Sequence, residues 1–328
     1  MKHILLITTG GTIASTSSEN GLQPTNNSSE ILKMMGIITS NYNIEAKELF
    51  QLDSSNIQPE EWQTIARCVF NEYKNYDGIV ITHGTDTLGY TSSILSFMLQ
   101  NLPIPVVLTG SQLPLSHPMT DGLENLRTAF AMAASGVSGI FVAFNRKVIL
   151  GTRAIKVRTT SFDAFESVNA EYVATVDSRG LVIHKENIPK VYGTPTLCDN
   201  VCSDVFLLKL TPGINPTIFD ALIAMKCKGI VIEAFGAGGV QFMRRDIVNK
   251  VKEVCEHGIQ VVVCSQCLYE RSDFSIYEVG QRVLSQGVIE GYDMTSVCAL
   301  TKLMWALGQG EDVRSIMSKS YAGEIHIQ

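Results

Sequence analysis

No stretch limits what this chain can fold into as tightly as Ile79-Val80-Ile81-Thr82-His83-Gly84-Thr85-Asp86-Thr87. Three β-branched residues read as a buried strand, which breaks at Gly84 into two threonines around an acid. Tyr90, Ile94, Leu95 and Met98 then recur at helical spacing. Strand, glycine turn and helix place Thr85 and Asp86 between a strand's carboxyl end and a helix's amino end. Open α/β sheets bind ligands outside those strand ends. The unpaired N–H groups and the helix dipole also favour negative charge there. Asp86 or Thr87 reads equally as a helix cap, so this segment alone leaves two interpretations open.

The same device recurs. Ile4-Leu5-Leu6-Ile7 reads as a first strand and ends in Thr8-Thr9-Gly10-Gly11-Thr12-Ile13-Ala14-Ser15, with Thr12 at the mouth. Two glycines let the backbone turn tightly and approach a ligand. The G-x-G-x-x-G spacing of a dinucleotide site is missing, and no convincing helix opens directly behind. Residues 15–29, rich in Ser, Asn, Thr and Gly, read as a loop, either a mobile lid or a plain solvent loop. Ile44 to Leu52 reads as a short strand, followed by Asp53-Ser54-Ser55-Asn56 and a helix that opens at Pro59 and carries Trp62, Ile65, Ala66, Val69 and Tyr73. Pro105 to Thr109 is a further strand running into Gly110-Ser111-Gln112. Asp121 with Glu124 has the spacing of a capping box for a helix through Ala134, stopped by Gly136. Gly139 to Phe144 is another strand, and beyond it Lys156 stands between Ile155 and Val157, where an exposed lysine is the ordinary expectation.

Periodicity fades between His184 and Ser203, which suits a linker. Strand patterns then return at Val205–Leu210, Gly229–Ile232 and Ile259–Cys264, with helical patterns around Phe219–Met225, Ile247–Val254 and Val297–Gly308. The alternation predicts an α/β fold with parallel sheet in both halves. It sets an N-terminal α/β domain over 1–187 with the larger, parallel-rich sheet flanked by helices, a linker over 188–203, and a smaller Rossmann-like parallel-sheet domain over 204–328.

Composition narrows the function classes. With 328 residues, 45% hydrophobic and 18% charged, the chain suits a soluble globular protein of two domains. A formal charge of −6 argues against nucleic acid, which calls for a concentrated basic surface. Arg244-Arg245 fits a solvated helix start. No apolar run approaches a transmembrane length, and the first one is too short for a signal peptide's core. Eight cysteines are too sparse for a disulfide framework. Cys264-x-x-Cys267 resembles half a zinc site, but it closes a strand and has no second ligand pair, because Cys198 and Cys202 are loosely spaced and lack a histidine. Buried free thiols in a reducing cytoplasm are the expectation, with no metal.

Two glycine-flanked threonines, an aspartate and a lysine are the ingredients of acyl transfer. A threonine hydroxyl becomes a nucleophile when a base takes its proton, and a lysine serves as that base when burial or neighbours lower its pKa. Backbone N–H groups around Gly11 and Gly84 are candidates for an oxyanion hole. At this point the residues resemble a known family. Thr9-Gly10-Gly11-Thr12-Ile13-Ala14 and His83-Gly84-Thr85-Asp86-Thr87 look like the two signature motifs of bacterial-type L-asparaginases. Asp53-Ser54-Ser55, Thr109-Gly110-Ser111-Gln112, the Lys156 segment through Phe165, Leu207 to Gly213 and Thr301 to Leu307 match as well, nearest to the cytoplasmic type I branch.

The resemblance implies an amidohydrolase that converts L-asparagine to L-aspartate and ammonia, with secondary glutaminase activity open because one methylene changes recognition by only about 1–3 kcal/mol. It implies Thr12 as the nucleophile and Thr85, Lys156 and Asp86 as the group that assists proton transfer. Asp86 also binds the substrate ammonium, and Asp53, Ser54 and Ser55 hold its carboxylate. It further implies a homodimer or a homotetramer of intimate dimers, and neither metal nor organic cofactor. Two places depart from the family pattern. Leu22 stands where members often carry a tyrosine on the mobile loop. Cys267 matches a contact of an allosteric asparagine site found in some relatives, while Ile155 and Glu233 replace polar and basic contacts, and a glutamate there repels a ligand carboxylate. The family fold also occurs in an archaeal protein supporting tRNA-dependent amidation, a reading that calls for an extra N-terminal domain, whereas the first strand here starts near residue 4. A non-catalytic amino-acid or nucleotide-binding sensor on the same fold would keep the glycines without needing both threonines and the lysine.

Overall fold

The computed structural model describes residues 1–18, 21–24, 28–274 and 278–326. The chain divides into two compact units, Met1–Asp199 and Asn200–Gln328.

The first unit is built on β1 (Lys2–Gly10), whose residues from Ile4 onward are buried. A short hairpin follows, β2 (Ser15–Ser18) against β3 (Gly21–Pro24), so part of the segment read as loop is paired strand. Residues 19, 20 and 25–27 of the expected lid lie outside the described residues, as does the side chain of Leu22. Helix α1 (Ser28–Met35) leads to β4 (Tyr42–Leu52), and α2 (Pro59–Glu72) begins with proline at its first turn, where the missing N–H costs nothing. Next come β5 (Gly78–Thr82), entirely buried, α3 (Leu88–Met98), the short β6 (Leu99–Gln100) and β7 (Pro105–Thr109). Helix α4 (Gly122–Ala133) precedes β8 (Gly139–Phe144) and β9 (Lys147–Leu150). The unit is completed by β10 (Ala154–Lys156), β11 (Phe165–Ser167), β12 (Ala174–Asp177), β13 (Gly180–Ile183) and β14 (Thr196–Leu197).

Among the described residues the main sheet has eight strands in the order β13-β12-β9-β8-β7-β5-β1-β4. The run from β8 to β4 is parallel, as the strand–helix alternation predicts. Strands β9, β12 and β13 pair antiparallel, so the sheet is parallel-rich, as expected, with an antiparallel end. The reason is local: Asn145 and Arg146 take positive φ and close a two-residue hairpin that no helix separates. Because side chains alternate along a strand, Ile4, Leu6, Val80 and Val107 share one face and pack with Leu126, Ala129 and Phe130 of α4. Residues 188–203 contain β14, which pairs with β6, and the Cys198 amide bonds to the Met98 carbonyl at 2.8 Å.

The second unit is a four-stranded all-parallel sheet in the order β15-β16-β17-β18, formed by Val205–Lys209, Gly229–Ala234, Gln260–Ser265 and Ile289–Glu290. Its helices are α5 (Thr217–Ala224), α6 (Ile247–Glu256), α7 (Glu278–Leu284), α8 (Ser296–Gly308) and α9 (Val313–Met317). Phe219, Leu222, Ile247 and Val251 close over Ile230, Ile232, Val261 and Val263 as its core. Arg244 and Arg245 lie just ahead of α6, whose cap is Asp246, accepting from the Asn249 amide. Cys264 is fully buried, and burial pushes its thiol pKa far up. Cys267 is exposed, which corrects the expectation that both thiols are interior. No group of three or more His, Cys, Asp or Glu among the described residues is placed to hold a metal. Among the described residues no helix is long and apolar enough to cross a membrane.

Candidate active site

Four parallel strands end along one edge of the main sheet. Their registers, Thr8 beside Thr82, Thr82 beside Thr109 and Gly10 beside Leu52, align the turns that follow. Those turns carry Thr12, Asp53-Ser54-Ser55, Gly84-Thr85-Asp86 and Gly110-Ser111-Gln112. Glycine lets them touch. Gly11 has φ of 79°, and a methyl group on it would stand 2.5 Å from the Gly84 Cα. A methyl group on Gly84 would lie 2.6 Å from the Ser54 Cβ and Oγ. The turn of the nucleophile candidate and the turn of Thr85 therefore meet backbone to backbone, and the Ser54 side chain of the serine turn packs on the Gly84 backbone, an approach that a Cβ at either glycine would block.

Lys156 arrives from outside this edge. It closes β10, whose antiparallel pairing sets Lys156 opposite Phe165. Its Nζ lies 2.8 Å from Thr85 Oγ1 and 2.6 Å from Asp86 Oδ1. The side chain is only 19% exposed while that of Asp86 is 66% exposed, so the ion pair presents its acid to solvent and keeps its base inside. The expectation of an exposed lysine is corrected here. Capping is corrected too. Thr87 occupies the cap position of α3, yet no side chain caps it. Instead the Thr87 hydroxyl donates to the Ser54 carbonyl at 2.7 Å, tying the serine turn to the α3 end.

Thr85 Oγ1 also lies 3.3 Å from Gln112 Oε1, and Gln112 Nε2 donates to the carbonyls of Thr159 and Ser161 at 3.0 and 3.1 Å. Gln112 thus fastens Thr85 to the segment that follows Lys156. The Gln112 turn is held by Asp121, whose carboxylate accepts the amides of Gln112 and Leu113 at 3.0 and 3.1 Å. Asp121 sits at the cap position of α4 but makes no capping bond, so the capping-box signature found the helix end and misread the use of the acid. Asn125, one helical turn on, donates to the Gly110 carbonyl at 2.9 Å and to Asp121 at 3.0 Å.

In the serine turn, Ser54 is buried while Asp53 and Ser55 are exposed. Asp53 accepts the Ser55 hydroxyl at 2.6 Å and the Ser55 amide at 2.8 Å, and these bonds hold its carboxyl below the usual carboxylate range. Thr12 is half-buried and opens a 3-10 turn ending at Ala14, anchored by the Ser15 hydroxyl on the Gly11 carbonyl at 2.9 Å. Its turn is joined to that of the Thr85–Lys156–Asp86 group through the Gly11–Gly84 contact. The Gly11 amide bonds to the Leu52 carbonyl at 2.9 Å and so is spent as an oxyanion donor, which narrows the expectation for that turn. At the departing positions, Ile155 is half-buried in β10, and Glu233 in β16 lies 3.7 Å from Lys209 Nζ.

Comparison with known proteins gives the family. Residues 3–189 match the model for the N-terminal domain of asparaginase, and residues 204–318 match that for the glutaminase/asparaginase C-terminal domain. The chain belongs to the asparaginase family. Within that family it is 46% identical over 327 residues to an L-asparaginase of Thermococcus kodakarensis, covering 98% of each protein. The solved thermostable L-asparaginase of the same organism superposes with a TM-score of 0.94 at 44% identity, over 99% of this chain and 100% of that one. L-asparaginase I of Vibrio cholerae superposes at 0.88 with 28% identity over 99% of both chains. The family reaches further: the chain is 36% identical over 340 residues to a subunit of the glutamyl-tRNA(Gln) amidotransferase of Pyrococcus abyssi, covering 99% of itself and 77% of that protein. The two-domain α/β fold and the asparaginase resemblance read from the motifs are therefore established.

Proposed function

We propose that the protein hydrolyses L-asparagine to L-aspartate and ammonia through an ester on Thr12. In the first half, Thr12 Oγ1 forms a bond to the side-chain amide carbon as its proton leaves, and the carbon–nitrogen bond breaks with a proton passing to the departing nitrogen as ammonia. In the second half, water attacks the ester carbon, one of its protons returns to Thr12, and aspartate is released. The observation that carries this reading is Lys156 Nζ, bonded to Thr85 Oγ1 and Asp86 Oδ1 on the turn that touches the Thr12 turn. A lysine shared by a hydroxyl and a carboxylate has the means to move protons through Thr85. The amides of Thr12 and Thr85, which follow the two apposed glycines, are the donors this reading assigns to the oxyanion.

Asp86, with its exposed carboxylate, takes the substrate's α-ammonium. The Ser54–Ser55 turn takes the α-carboxylate, with Ser55 exchanging its bond to Asp53 for one to the ligand. Glutamine, one methylene longer, is accepted more slowly. The chemistry is assigned to residues 1–187, joined by 188–203 to a domain over 204–328. The working form is assigned as a cytoplasmic homodimer or homotetramer, which the free cysteines suit.

Ammonia release from L-asparagine and, in parallel, from L-glutamine tests this with wild type and Thr12→Val. Release from asparagine that disappears in the variant supports enzyme and nucleophile together. Folded wild type that releases none from either amide retires the reading in favour of a ligand-binding protein. Sedimentation or light scattering gives the oligomer, and a monomer that remains active refutes that assignment.

A further inference from the structure

His83 precedes the Gly84–Thr85 turn and is completely buried. Its Nε2 lies 3.0 Å from Thr91 Oγ1 in α3, and its Nδ1 lies 2.7 Å from the Gly84 carbonyl oxygen. Thr91 Oγ1 in turn lies 3.0 Å from Trp62 Nε1 in α2. Donor and acceptor roles along this chain follow from chemistry alone. An indole N–H only donates, so Thr91 Oγ1 accepts from Trp62. The one hydroxyl proton of Thr91 then goes to His83 Nε2, which accepts. In a neutral imidazole the remaining nitrogen carries the proton, so Nδ1–H donates to the Gly84 carbonyl. Burial pushes the His83 pKa down to about 4, which keeps the ring neutral near pH 7.

The Gly84 carbonyl belongs to the same planar peptide unit as the Thr85 N–H, and none of the peptide bonds is cis. In a trans peptide these two groups point in opposite directions. Fixing the carbonyl oxygen on His83 therefore fixes the direction of the Thr85 N–H.

We propose that Trp62, Thr91 and His83 form a buried one-way hydrogen-bond relay that aims the Thr85 amide at the oxyanion, making His83 a positioning residue. The proposal rests on the acyl-transfer reading given above. All three relay residues are nearly or fully buried, and none carries a hydrogen bond to the Thr85–Lys156–Asp86 group, so the relay acts through the peptide unit. The tautomer tests the direction of the relay, and a fall in kcat without a matching change in KM separates an aimed amide from a merely structural histidine.

Long-range nitrogen–proton NMR on histidine-labelled wild type at pH 7 reads the tautomer directly. The relay requires a protonated Nδ1 and a bare Nε2 at His83. Thr91→Val removes the acceptor–donor link with little change of shape. It is expected to lower kcat about tenfold with KM changed less than about twofold, since a misaimed donor is lost in the transition state only. His83→Asn, whose amide N–H can occupy the Nδ1 position, is expected to retain kcat within about threefold, while His83→Leu loses about tenfold. Equal kcat in Thr91→Val and wild type overturns the proposal. Wild type that releases ammonia but carries the Nε2–H tautomer overturns the relay alone. Wild type with the Nδ1–H tautomer and no ammonia release overturns the acyl-transfer reading, and with it the aim assigned to the amide.

Discussion

Acidification to pH 5 is expected to destabilise the first unit by about 2 kcal/mol through His83 alone. An imidazole in the unfolded chain titrates near 6.5, whereas burial in the fold pushes His83 down to about 4. Between those values the unfolded state binds the proton and the native state does not. Stability therefore rises with pH across this window. The contribution is present above about 6.5 and is lost as pH falls towards about 4. The whole gap corresponds to about 3.5 kcal/mol at about 1.4 kcal/mol per pH unit, of which about 2 kcal/mol falls between pH 7 and pH 5. The carboxylates held low by neighbours, such as Asp53, Asp77 and Asp163, lose their contributions only below about pH 4, outside this range. Urea unfolding followed by Trp62 fluorescence in a Trp305→Phe background isolates the unit, because the chain has two tryptophans. The His83→Asn protein is expected to be less stable at pH 7 yet to lack the decline between pH 7 and pH 5. Curves for the two proteins that stay parallel over that range would refute the assignment of the decline to His83.

Four further outcomes are expected. Thr12→Val should lower asparagine hydrolysis by at least about a thousandfold while leaving the unfolding free energy from urea titration within about 0.5 kcal/mol, and measurable turnover in a protein free of wild type contradicts the nucleophile assignment. Lys156→Met breaks bonds of 2.8 and 2.6 Å to Thr85 and Asp86, and kcat should fall about 100- to 10,000-fold; a change confined to KM argues that Lys156 only binds substrate. Gly11→Ala would place a methyl group 2.5 Å from the Gly84 Cα, so activity and thermal stability should fall together; an active, stable variant shows that the turns do not meet. In the second unit, Lys302 and Glu324 form a fully buried ion pair at 2.7 Å, and Lys302→Met removes the cation from beside the buried carboxyl, leaving it the Tyr321 and Ala322 amides. Calorimetry should show a loss of about 3–5 kcal/mol, partly recovered in Lys302→Met/Glu324→Gln, and additive effects exclude the pairing.

Much of the fold was legible because its strands are short β-branched runs and its helices carry apolar residues at regular spacing. Ile79 to Thr82, Pro105 to Thr109 and the helix opened by Pro59 depend on local chemistry, and the structure has them where the pattern predicts. The antiparallel strands beyond Phe144 escaped that reading, because a two-residue turn at Asn145–Arg146 leaves no period to detect. The hairpin at Ser15–Pro24 escaped for a related reason: its composition is that of a loop, and only cross-strand pairing makes it a strand.

The sequence by itself determined the glycine turns at strand ends, the threonines and acids that follow them, and through the two signature motifs the asparaginase family. Those features are local, carried by residue type and spacing along a few positions. Only the tertiary structure decided which groups meet. Lys156 is 70 residues from Asp86 along the chain and 2.6 Å from it in space. Asp121 has the spacing of a helix cap and serves the Gln112 turn, and His83 has no sequence signal for its tautomer until Thr91 and Trp62 close around it. A parallel sheet brings distant strand ends to one edge, and the partners of a polar side chain there are set by register and packing rather than by its neighbours in sequence.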